Sequence, residues 1–109
     1  LDGTELLKLL YQSLRALLRP ALPNRLVRRV FELKSMVING EYTQDPPVPV
    51  SDSCHYAWEY VICSPSESLY QFALKEEVLK EFESVVEKSR QYFVRHEFRS
   101  LEILETLTA

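Results

Sequence analysis

Only two glycines, Gly3 and Gly40, occur in 109 residues. A glycine-rich phosphate loop or a G-x-G-x-x-G dinucleotide turn cannot be built from them. An all-β domain strung on tight turns is disfavoured for the same reason. The six prolines instead divide the chain into apolar segments that repeat at helical spacing.

The first segment runs from about Thr4 to Arg19. Leu7, Leu10, Leu14 and Leu17 form its apolar stripe, widened by Leu6, Leu9 and Leu18. Thr4 or Asp2 can cap it, and Pro20 and Pro23 end it. Asn24 is the expected N-cap of a second helix that stops at Asn39-Gly40. Leu26, Val30, Leu33 and Val37 make one row there, with Arg25 and Arg29 on one margin and Arg28 on the other. Glu32 lies one turn from both Arg28 and Arg29, where surface pairing contributes a few tenths of a kcal/mol. Lys34 falls inside the apolar arc, either snorkelling along the core rim or holding its cation over a groove.

Residues 41–50 read as a stiff loop set by Pro46, Pro47 and Pro49. Ser51-Asp52-Ser53 offers caps for a third helix, about Asp52 to Ser64. Its apolar residues point two ways, Cys54, Ala57, Trp58 and Val61 on one side and Tyr56, Tyr60 and Cys63 on the other. The third helix is therefore expected at the centre of the fold, with Trp58 and Val61 in the core, both cysteines as small core fillers and His55 facing solvent. Leu69–Phe72 is either extended or a short helical turn. A long helix is expected from Leu74 to near Phe98, with a highly charged outer face of Glu76, Lys80, Glu83, Glu87 and Arg90, and a last one from Leu101 to about Leu107. The fold class is all-α: one domain over residues 1–109, a compact bundle of about five helices around a central buried helix.

Composition agrees with one globular domain, at 46% hydrophobic and 27% charged residues. No apolar run reaches the roughly 18–20 residues of a membrane span, and no membrane partner is expected. Cys54 and Cys63 are nine apart; on one helix, nine steps of about 100° place them on opposite sides, so they do not bridge. A reducing, cytoplasmic setting is the expectation. With no Cys-x-x-Cys and no clustered ligands, neither a zinc finger nor any cofactor is expected. No nucleophile elbow or H-E-x-x-H occurs, and the carboxylates of the long helix lie opposite its apolar face, so the chain does not read as an enzyme.

Charge is unevenly spread. Residues 1–40 carry a net +4 and residues 41–109 a net −7, for an overall −3. A polarised domain can present its basic half to an anionic partner.

Three blocks, in order, resemble the RecO family of bacterial DNA-repair proteins. The first is Leu26-Val27-Arg28-Arg29-Val30-Phe31-Glu32-Leu33-Lys34, followed by Ile38-Asn39-Gly40-Glu41. The second is Leu69–Leu79. The third is Tyr92–Leu104, a Tyr-rich helix, an Arg-Ser pair and a Leu-anchored turn. The resemblance implies the C-terminal helical domain of such a protein. The family's N-terminal OB-fold domain is absent from this chain, which starts at Leu1 and reads as a fragment. Where many family members carry two Cys-x-x-Cys pairs, this sequence has Asp45–Val50 running straight to the third helix.

The resemblance implies a role in recombinational repair: binding the acidic tail of the single-strand-binding protein, association with RecR, strand annealing and loading of RecA. Contact with single-stranded DNA would fall mainly to the absent domain. The tail pairs an aromatic anchor with carboxylates, so its site needs an apolar floor and a cationic rim. Arg29 and Lys34 are the first candidates to hold it, with Arg28 beside them; Arg15, Arg19 and Arg25 form an auxiliary basic face that could also contact DNA. The alternative is a helical protein-interaction or regulatory scaffold with no role in DNA repair.

Overall fold

The computed structural model describes residues 3–94. It is all-helical over that range, with no strand among the described residues. Four α-helices follow one another: α1 (Gly3–Leu17), α2 (Asn24–Ile38), α3 (Asp52–Cys63) and α4 (Glu76–Val94), with a 3-10 turn at Ser66–Ser68. The end of the expected long helix and the fifth helix at Leu101–Leu107 lie outside the described residues. No helix among the described residues is long and apolar enough to cross a membrane.

Local chemistry sets the helix ends. Asn24 is the first residue of α2 and not its cap; Pro23 holds that position with φ −62° and ψ 138° and offers no side-chain cap. Its carbonyl takes the N–H groups of Leu26 and Val27 at 3.0 and 3.2 Å. At the other end Gly40 adopts φ +77°. The Gly40 N–H reaches the Val37 carbonyl at 3.0 Å and the Glu41 N–H that of Met36 at 2.7 Å, which is the paired geometry of a Schellman stop. Ser51 caps α3 by accepting from the Cys54 N–H at 3.3 Å. Glu81 of α4 in turn accepts from the Ser51 N–H and hydroxyl, so one carboxylate ties the start of α3 to α4.

The helix that packs against all three others is α2, where the sequence pattern had pointed to the third. Leu26, Val27, Val30, Phe31, Leu33 and Met36 of α2 are all buried. The third helix packs on α2 and α4 and leaves Tyr56 exposed. Its aromatic second side made it look central, but Tyr60 instead hydrogen-bonds the Ser68 carbonyl at 2.7 Å and packs on Phe72. Trp58 and Val61 are fully buried, as expected, and the Trp58 indole N–H donates to the Thr43 carbonyl at 3.2 Å, pinning the proline-rich loop. Of the two cysteines only Cys54 fills the core; Cys63 is exposed, and both thiols are free.

Electrostatics joins α2 to α4. Arg25 pairs with Glu76 at 2.9 Å and with Glu83, and Arg29 pairs with Glu87 at 2.9 Å. Arg90 comes within 3.9 Å of Glu32. Residue numbers rise together along the seam, so the two helices run parallel. The acidic face of α4 is therefore partly an internal contact and not purely a solvated face, and Glu32 is fully buried where the sequence suggested surface pairing.

Candidate functional site

Helix α1 buries only one margin of its leucine stripe. Leu9, Ser13 and Ala16 face the core. Ser13 meets the Tyr70 hydroxyl at 2.6 Å, and Tyr70 also reaches the Val27 carbonyl at 3.5 Å; burial pushes the Tyr70 phenol above its ordinary pKa, the Ser13 hydrogen bond opposing only in part. With Leu9, Ser13 and Ala16 inward, the outward row is Leu7, Tyr11 and Leu14, continued by Leu18 just past the end of the helix. These side chains are 68, 59, 54 and 84% exposed. An apolar row so open on a water-facing helix is the mark of a surface that meets something.

Beside that row, α1 and α2 form a groove of about 260 Å³. Leu10, Leu14 and Leu17 line it from α1, and Val27, Phe31 and Arg28 from α2. Arg28 is half exposed and stands 3.8 Å from the Glu32 carboxylate. It is the cation that the structure brings to an apolar floor.

The other expected cations are placed differently. Arg29 is nearly buried, 2.8 Å from Glu32 and 2.9 Å from Glu87. Burial works against its charge, but the two carboxylates more than offset it and hold the guanidinium above its ordinary pKa. Lys34 neither snorkels nor spans a groove. It is buried, and its ammonium donates to the Ile62 carbonyl at 3.2 Å, satisfying a carbonyl in the last turn of α3, where a cation also complements the helix dipole. Burial lowers its pKa. Arg25 belongs to the α2–α4 seam. Arg15 stacks over the Tyr11 ring at 5.6 Å, and Arg19 donates to the Tyr70 carbonyl at 3.3 Å. Five of the six basic residues thus divide among three places: a seam with Arg25 and Arg29, a groove with Arg28, and a polar cleft shared by Arg15 and Arg19; Lys34 stands apart from all three.

The sequence signal for the outward row lay in α1 itself. Leucines at 6, 7, 9, 10, 14, 17 and 18 cover far more than the roughly 100° arc one core contact needs. The fold also assembles Asp45, His55 and Glu59, whose candidate ligand atoms all lie within 4.8 Å of one another. Glu59 is 3.2 Å from the imidazole Nδ1 and Asp45 3.6 Å from Nε2. The carboxylates flank opposite nitrogens, so an ion on either nitrogen has one carboxylate beside it, short of the three or four ligands a tight site supplies.

Comparison with protein-family models, curated proteins and solved structures returned no match.

Proposed function

We propose that this chain is a non-catalytic docking domain whose α1–α2 face receives an acidic, apolar-anchored segment of another protein. The observation that carries the reading is the exposed row Leu7, Tyr11, Leu14 and Leu18 beside a groove with Arg28 at its rim. The row and groove supply desolvation for an aromatic anchor, and Arg28 supplies a charge-assisted contact to a carboxylate. Arg29 and Lys34 are spent on internal partners, so the carboxylate-holding role passes to Arg28. The RecO resemblance names the occupant as the acidic tail of the single-strand-binding protein, with RecR, RecA loading and strand annealing as the wider setting. With a net charge of −3, direct DNA binding by this chain is expected to be weak.

Fluorescence anisotropy with a labelled acidic peptide ending in phenylalanine tests the reading. Micromolar affinity, about −8 kcal/mol, is expected. Arg28→Glu and Leu14→Ser should each weaken it at least tenfold with the helical circular-dichroism signal intact. A scrambled peptide of equal charge that binds as well would favour a general interaction scaffold without a repair role. If neither variant changes the affinity, the groove is not the site.

A further inference from the structure

We propose that a second site, the polar cleft between α1 and the 3-10 turn, binds a phosphate monoester through Arg15 and Arg19. The cleft measures about 320 Å³ and is walled by Gln12 and Arg15 of α1 and by Arg19 of the turn that follows it, with Ser66, Glu67 and Gln71 opposite. That volume lies near the lower end of small-ligand pockets. The proposal does not rest on the docking reading, since the groove lies on another side of α1.

Pairing sets these two arginines apart. Arg25, Arg28, Arg29 and Arg90 each have a carboxylate within 4 Å. Arg15 and Arg19 have none among the described residues, although the chain as a whole carries excess negative charge. Both are nonetheless held. Arg15 lies over the Tyr11 ring, and Arg19 commits one N–H to the Tyr70 carbonyl, leaving their other donors to a ligand. Two guanidiniums lining one cleft match a dianion with several acceptor oxygens, which a phosphate monoester supplies. At the edge of the cleft the buried Ser66 hydroxyl has no hydrogen-bond partner, a deficit that in native proteins calls for an explanation.

Glu67 narrows the ligand further. A carboxylate on the opposite wall repels a bare anion and accepts from a hydroxyl or amine. The cleft therefore favours a monoester that carries such a donor, as a nucleoside 5′-monophosphate does, over inorganic phosphate. A free mononucleotide and the phosphorylated end of a nucleic-acid strand share that chemistry.

Nitrogen-15 NMR titration of the 109-residue chain at constant ionic strength decides the matter. The probes are inorganic phosphate, a nucleoside 5′-monophosphate, the unphosphorylated nucleoside, and a tetranucleotide with and without a 5′-phosphate. Saturating shifts at Gln12, Arg15, Arg19 and Gln71 are expected with the monophosphate and not with the nucleoside. Arg15→Gln and Arg19→Gln should each weaken binding at least tenfold, while Leu14→Ser leaves it unchanged. Binding of the phosphorylated tetranucleotide as well would identify a strand end as a source; its failure beside a binding mononucleotide would identify the free ligand. Inorganic phosphate binding as tightly as the monophosphate overturns the monoester assignment. No saturation below 10 mM, or parental affinity in Arg19→Gln, overturns the site.

Discussion

Replacing Glu32 by glutamine tests how α2 is held to α4. The Glu32 carboxylate is fully buried among three guanidiniums, with Arg29 at 2.8 Å, Arg28 at 3.8 Å and Arg90 at 3.9 Å. Glutamine keeps the volume and one acceptor oxygen and removes the charge. Breaking a buried ion pair costs roughly 3–5 kcal/mol when the partner is stranded. Two features lower that figure here. Glu87 still faces Arg29 at 2.9 Å and Arg90 at 3.6 Å, and Arg28 is half exposed. The expected loss is about 2 kcal/mol, a large part of the ~5–15 kcal/mol that holds a domain together. In urea unfolding it appears as a midpoint lowered by about 1 M at an unchanged slope. A double-mutant cycle with Arg29→Gln should give a coupling of about 1 kcal/mol or more. A Glu32→Gln variant within about 0.5 kcal/mol of the parent, or an additive cycle, refutes the view that the buried pair secures the seam.

Three further outcomes follow from local geometry. Gly40→Ala meets no atom within 4 Å of the new methyl group, so its cost is conformational alone, about 1 kcal/mol by thermal unfolding. Ser13→Ala strips the Tyr70 hydroxyl of its 2.6 Å partner and leaves only the Val27 carbonyl at 3.5 Å, for an expected loss of about 1–2 kcal/mol; an unchanged melting temperature would contradict the burial of that pair. Burial, with a smaller contribution from Glu81, pushes the Cys54 thiol up to about 11. The folded state then keeps a proton that the unfolded chain releases, so the thiol's contribution to stability should be constant below about pH 8.5, the ordinary thiol value, and fall towards pH 11. Cys54→Ala should make the alkaline loss of stability shallower between those values, and native-state alkylation should label Cys63 and spare Cys54.

Periodicity and breakers placed the starts of the four described helices, and the ends of the first three, to within two residues, because Pro20, Pro23, Gly40 and Pro65 punctuate them. Faces were harder to read. In α1 too many leucines compete, and the pattern could not show that Ser13 and Ala16, the small residues, take the core side so that Tyr70 can approach. In α3 a second aromatic side looked like a second buried face, whereas part of it packs on the segment after the 3-10 turn. Charge asymmetry was legible as a sum, but its use was not. Arg29 and Lys34 sit beside the apolar stripe, as their positions in the sequence require, yet their partners Glu87 and Ile62 come from helices 58 and 28 residues away. No local pattern carries that information. Arg28, on the other margin of the stripe, is the one that lines the groove.

The buried Glu32 also fixes the register of α4. If α4 slid by one turn in one direction, Val94 would take the place of Arg90, Gln91 would face Arg29 in place of Glu87, and Lys80 would face Arg25 in place of Glu76. A slide the other way would set Val86 against Glu32. Either displacement takes Arg90 from the buried Glu32 and Glu87 from Arg29, leaving Glu32 only the arginines of its own helix, a penalty the apolar seam alone would not impose. Greasy helices packed in parallel can slip by a turn at modest cost; one acidic residue in the wall between them makes a single alignment the affordable one.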